Sequence, residues 1–145
     1  MKKTLTKTGI GLIIALGLFS CDKYGCTDVD ATNYVTDANS DDGSCTYAGD
    51  IAFWCLPEVS TALKDAGHVT LYFELEGEIQ DSITTELFFA AAGECGASGV
   101  KTMHREFTGD SKHYYKYRVK GKDYVTLYED FILLEANECL SIRLE

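Results

Sequence analysis

Basic residues, prolines, histidines and catalytic signatures are all scarce in this chain. Thirteen lysines and arginines face 23 aspartates and glutamates, for a net charge of −10. A surface of that sign repels nucleic acid and anionic headgroups at a distance, so nucleic acid is excluded as a partner. One proline in 145 residues leaves long stretches free to run as unbroken strands. No G-x-S-x-G, P-loop or H-E-x-x-H is present, which removes the common nucleophile and zinc-protease signatures. His68, His104 and His113 stand apart in sequence, whereas zinc needs three or four ligands with a tight local pair. The longest apolar run, Gly9 to Phe19, falls short of the ~20 residues that a membrane-spanning helix requires.

That run has another use. Met1, Lys2, Lys3 and Lys7 precede it, and Leu18-Phe19-Ser20-Cys21 closes it. A basic start and a short apolar core are the pattern of a secretory signal peptide. The closing residues resemble the lipobox of bacterial lipoproteins, in which signal peptidase II cuts before a cysteine that then carries the lipid. Leu18 takes the apolar position, Ser20 the small one and Cys21 the thiol; Phe19 departs from the pattern, where a small residue is usual. Ordinary signal-peptidase cleavage fits less well, because Leu18 is too large for an A-x-A-like site. The resemblance implies that residues 1–20 are a signal peptide and that Cys21 is acylated, tethering the chain to a membrane. In enteric-type bacteria an acid after the cysteine, here Asp22, implies inner-membrane retention. Chains with the acidic repeat described below usually come from other Gram-negative groups, which favours the outer membrane of the envelope.

Without residues 1–20 the charge becomes −13, and 125 residues remain, enough for one modest domain and a small appendage. Apolar content of 46% argues for a packed core. Six cysteines in an exported chain point to disulfides. With Cys21 acylated, at least one of the other five is left over.

Residues 21–48 form an acidic neck. From Tyr24 to Asp50 there are six acids, no base and almost no aliphatic side chain, so a covalent staple is expected. Cys26 and Cys45 bracket the segment and make the natural pair. Asp42-Gly43-Ser44 reads as a turn. Gly25-Cys26-Thr27-Asp28, Ala31, Asn33-Tyr34, Ala38, Asp41-Asp42-Gly43-Ser44-Cys45 and Tyr47 together resemble a short repeat of bacterial surface proteins, GCTDxxAxNYxxxAxxDDGSCxY. The resemblance implies a small stapled extracellular module with no enzymatic activity. Calcium is the cofactor to weigh here, since Asp28, Asp30, Asp37, Asn39 and Asp41 supply closely spaced oxygens. The EF-hand spacing fails: counting from Asp37, Asp42 stands where Gly belongs and Ala48 where the bidentate Glu belongs. The alternative use of these side chains is in Asx-turns.

Residues 49–145 turn to a period of two. Alternation over His68–Glu76, Lys112–Lys120 and Leu140–Glu145 predicts half-buried antiparallel strands. Further strands are expected at Ile51–Leu56, Ile83–Phe89, Val100–Phe107 and Tyr124–Leu134, the last broken near Glu129-Asp130. Pro57–Ala66 alone looks helical. Turn signals fall at Gly77, Thr108–Ser111 and Lys120–Asp123. About seven short strands predict an all-β antiparallel sandwich of the Ig-like or prealbumin-like kind. Gly49-Asp50 with Phe53-Trp54, Cys95-Gly96-Ala97-Ser98-Gly99, Tyr114-Tyr115-x-Tyr117 and Cys139-Leu140-x-Ile142-x-Leu144 resemble the small C-terminal sandwich domains of many bacterial lipoproteins. That resemblance implies a Cys95–Cys139 disulfide and leaves Cys55 as a free thiol, consistent with a small buried side chain in the first strand, with an intermolecular disulfide as the alternative for an odd cysteine in an exported chain.

The chemistry expected is therefore not that of an enzyme. Glu74 and Glu76 point the same way on an exposed strand face, without the cleft a glycosidase needs. Tyr114, Lys116 and Arg118 share a face that Tyr72 and Tyr128 are expected to join, and such aromatic and Arg clusters suit an interface. The reading is a membrane-anchored envelope lipoprotein serving as a surface binding or structural accessory module. A glycan-binding module using exposed tyrosines is the first alternative. The second is a small metal-dependent hydrolase, which would need His104 and His113 brought together beside a carboxylate.

Overall fold

The computed structural model describes residues 22–145; Cys21 and the signal segment lie outside the described residues. Two short strands in the neck, β1 (Tyr24–Gly25) and β2 (Ser40–Asp41), pair in parallel. The sandwich follows as β3 (Thr46–Cys55), α1 (Pro57–Asp65), β4 (Thr70–Leu75), β5 (Glu78–Thr84), β6 (Lys101–Thr108), β7 (Lys112–Lys120), β8 (Thr126–Glu135) and β9 (Cys139–Leu144). The sheets run β6-β3-β9 and β5-β4-β7-β8. The all-β sandwich read from period-two alternation is thus the architecture.

Alternation explains the packing. Ile51, Phe53 and Cys55 of β3, Leu71, Phe73 and Leu75 of β4, and Tyr115, Tyr117 and Val119 of β7 all turn inward and are buried. Phe53 sits 5.1 Å from both Phe73 and Tyr117 across the gap between sheets. Phe88 comes from a loop and packs on Phe73 at 5.5 Å, fully buried. Burying a side chain of this size stabilises the fold by about 1.5–3 kcal/mol, so the aromatic cluster is a principal link between the layers.

Four features differ from the sequence expectation. First, the fifth strand is Glu78–Thr84 rather than Ile83–Phe89. Glu76 and Gly77 both take positive φ, 50° and 88°, the geometry of a two-residue type I′ hairpin; β5 must start directly after it, with Leu75 opposite Glu78. Second, β8 is unbroken at Glu129-Asp130, because these acids stand opposite Arg118 and Tyr117 in continuous register. Third, β3 begins at Thr46, directly after Cys45, so neck and sandwich share a strand across residues 48 and 49. Fourth, β9 runs parallel to β3. The chain crosses between sheets through Ala136–Glu138, where Asn137 N donates to Ala48 O (2.7 Å) and Asp50 N to Glu138 O (2.8 Å). It therefore enters the second sheet at the end where β3 starts.

Candidate functional site

The outer face of the four-stranded sheet carries the exposed rings of Tyr114 and Phe131 and half of the ion pairs among the described residues. Even-numbered residues of β7 point outward, so Tyr114, Lys116, Arg118 and Lys120 form a row. Tyr72 joins it opposite Lys120. Tyr128 does not: it stands opposite Val119, on the inner side, and packs against the core. A strand's alternation fixes which residues share a face but not which face is buried, and β8 turns its even-numbered residues inward. Phe131 takes the outer place, 68% exposed, with the Lys116 ammonium 5.5 Å from its ring centre. Tyr114 is 69% exposed.

Charges on this face are arranged in pairs. Glu74, expected on an exposed surface beside Glu76, is only 3% exposed and pairs with both Arg118 and Lys120. Arg118 also reaches Glu129 at 3.1 Å, Lys116 reaches it at 3.2 Å, and Lys112 reaches Glu135 at 2.6 Å. The Lys120 hydrogen bond holds the Glu74 carboxyl below the usual carboxylate range; desolvation opposes this and Arg118 adds to it. Glu76 lies in the hairpin turn and accepts from Lys116 N. The two glutamates therefore do not face a common cleft.

The neck uses its polar side chains one at a time. Asp28 accepts from Asp30 N at 3.0 Å and from the Tyr47 hydroxyl at 2.8 Å. Asp41 accepts from Gly43 N and Thr27 Oγ1, and Asp42 from Ser44 N. Asp37 pairs with Lys23, and Asn39 Oδ1 accepts from Lys23 N. Asp30 contributes its carbonyl to Asn137 Nδ2. These contacts are Asx-turns and ties to the sandwich. The five candidate calcium ligands are not gathered round a point, and among the described residues no three His, Cys, Asp or Glu side chains cluster as a metal site.

Cys26 is bonded to Cys45 and Cys95 to Cys139. Cys55 is free and fully buried, its Sγ 3.1 Å from Phe88 O. Burial is the main cause that pushes its thiol up to about 11, so the reactive thiolate is scarce at neutral pH. His104 and His113 are kept apart. His104 Nδ1 lies 2.9 Å from Asp50 on the outer face of the three-stranded sheet. His113 belongs to β7 of the other sheet and stacks on Tyr115 and Phe107.

One aromatic residue of the outer face was expected to open the strand Tyr124–Leu134, whereas that strand starts at Thr126. Tyr124 follows the end of β7, in the 3₁₀ turn Lys122–Tyr124, and its ring lies 5.0 Å from Tyr72. No pattern marks that approach, because the turn is irregular: Asp123 and Tyr124 both have positive φ, 54° and 56°. Phe131, by contrast, follows from the alternation of β8 once the inward face is known.

No family model, no curated protein and no solved structure matches this chain.

Proposed function

We propose that this chain is a lipid-anchored envelope protein, held in the outer membrane through Cys21, with a non-catalytic binding or accessory role. The observation that carries the reading is the junction between anchor and fold. Leu18–Cys21 has the lipobox-like order, and only Asp22 and Lys23 separate Cys21 from β1. The neck is stapled by Cys26–Cys45 and tied to the sandwich by Tyr47–Asp28, Thr32 N to Thr46 O at 2.8 Å, and Asn137–Asp30. An acylated Cys21 would thus present the sandwich close to the bilayer on a short, ordered stalk. Paired carboxylates on the outer sheet face support a recognition role over acid–base chemistry, since Glu74 and Glu129 are already engaged by cations.

Intact mass of the protein extracted from membranes tests the anchor. The expected species starts at Cys21, carries added acyl mass, and has one thiol that alkylates only after denaturation. An unlipidated mass would overturn the reading and make the chain a secreted protein. A Cys21→Ser variant should lose the acyl mass and keep residues 1–20 uncleaved.

A further inference from the structure

A pocket of about 350 Å³ opens where the turn after β7 meets β4, lined by Thr70, Tyr72, Lys122, Asp123 and Tyr124. Its wall is the Tyr72–Tyr124 pair, with the rings inclined at 35° and Tyr124 58% exposed. Two successive side-chain-bearing residues, Asp123 and Tyr124, are held in the left-handed region, a conformation that the surroundings must impose. Those surroundings are specific. Lys122 N donates to His68 Nδ1 at 3.0 Å, Gly121 N to Val125 O at 2.9 Å, and Tyr124 N to Gly121 O at 3.1 Å. A Cβ on Gly121 would lie 2.3 Å from His68 Nδ1, so only glycine permits this closure.

The pocket also differs from the rest of the face in its charges. Every other lysine among the described residues is ion-paired: Lys23, Lys64, Lys101, Lys112, Lys116 and Lys120. Lys122 has no such partner among the described residues, and neither does Asp123 beside it. The exposed ring of Tyr124, Asp123, Lys122 and Thr70 line one small volume together with Tyr72, Val69 and Gly67. That combination matches a hydroxyl-rich ring with an apolar C–H face: the carboxylate accepts from hydroxyls, the ammonium donates to them, and the tyrosine ring packs on the C–H groups. One charge of each sign disfavours a strongly anionic ligand.

We infer that this pocket is a binding subsite for a neutral saccharide. It rests on the non-catalytic role proposed above and gives that role a ligand class. Pre-formed walls lower the entropic cost of capture, which suits a shallow site.

The test uses the full chain in a polyoxyethylene detergent, since a glycoside detergent would compete. Chitotetraose, maltohexaose and xylohexaose are titrated by calorimetry, with the tyrosine rings followed by carbon-13 NMR. At least one probe should bind and shift the Tyr72 and Tyr124 ring signals. Tyr124→Ala should weaken that binding about tenfold or more, which is about 1.4 kcal/mol. Asp123→Gly keeps the left-handed backbone and should weaken it too, whereas Tyr114→Ala, outside the pocket, should not. No binding of any probe at about 1 mM would overturn the pocket and leave the lipid anchor standing. Equal losses for Tyr124→Ala and Tyr114→Ala would also overturn it. A bound probe recovered shortened would uphold the pocket and overturn the non-catalytic role.

Discussion

Replacing Glu74 by Gln removes one charge and almost no volume. Two cations then lose their shared anion at a site that is 3% exposed, while Arg118 keeps Glu129. Breaking a buried ion pair by deleting one partner costs about 3–5 kcal/mol. Here the Arg118 and Lys120 side chains are 31% and 21% exposed, so water relieves part of that cost. A loss of about 2 kcal/mol at pH 7 is the working figure, equivalent to a drop of roughly 8 °C in Tm for a domain of this size. Acid sharpens the test. Glu74 has a folded pKa below its ordinary 4.5, so between those values the unfolded chain binds more protons than the folded one. The stabilisation is fully present above 4.5 and fades as pH falls through the folded pKa. The gap between wild type and Glu74→Gln should therefore narrow from pH 7 to about pH 3. Asp28, Asp81 and Glu86 shift in the same direction, but they are present in both proteins and cancel in the difference. Urea unfolding followed by circular dichroism reads the gap. A loss under about 0.5 kcal/mol at pH 7, or a gap that stays constant into acid, would refute the assignment of Glu74 as the buried anion shared by Arg118 and Lys120.

The neck and the buried thiol yield four further outcomes. Burial, followed by the hydrogen bond to Asp28, pushes the Tyr47 phenol up to about 12; Tyr47→Phe should cost about 1 kcal/mol in thermal unfolding. Cys26→Ser with Cys45→Ser opens a loop of sequence separation 19, which should cost about 3 kcal/mol and raise amide exchange from Asp28 to Asp42 while β4 and β7 stay protected. Cys55 should resist iodoacetamide in the folded protein and react in denaturant. Cys55→Ala should cost about 1 kcal/mol in urea unfolding, as a small truncation in a packed core does.

Local period carried the sequence reading as far as local period can. β4, β7 and β9 announce themselves because Leu71, Phe73 and Leu75, Tyr115, Tyr117 and Val119, and Leu140, Ile142 and Leu144 alternate with polar residues. β5 does not, since an edge strand with Glu78, Gln80 and Ser82 buries little and its alternation is faint. Ile83 and the Leu87-Phe88-Phe89 triplet drew the expectation downstream, yet Phe88 reaches the core from a loop. Strand direction is not a local property either. Nothing in Cys139–Leu144 reveals that it pairs parallel to β3; the crossover at Ala136–Glu138 decides it. The Cys26–Cys45 pair was legible because the two cysteines bracket a segment too polar to fold alone. Cys95–Cys139 came from resemblance.

The candidate site was legible only where one strand carries it. Tyr114, Lys116 and Arg118 are two residues apart and must share a face. The environment of Glu74 is set by register between β4 and β7, which places it opposite Arg118 and near Lys120; read alone, Glu74 is simply an outward-facing acid. The pocket is one step further removed. Tyr72 and Tyr124 are 52 positions apart, and their approach depends on His68 closing the turn through Lys122 N. Lys122 and Asp123 on that turn have no ion-pair partners among the described residues. Composition alone would have ranked the acidic neck above this turn as a ligand site. In the structure Asp28, Asp41 and Asp42 of the neck accept from nearby backbone N–H groups and Asp37 pairs with Lys23, whereas Lys122 and Asp123 of the turn have no ion-pair partner among the described residues.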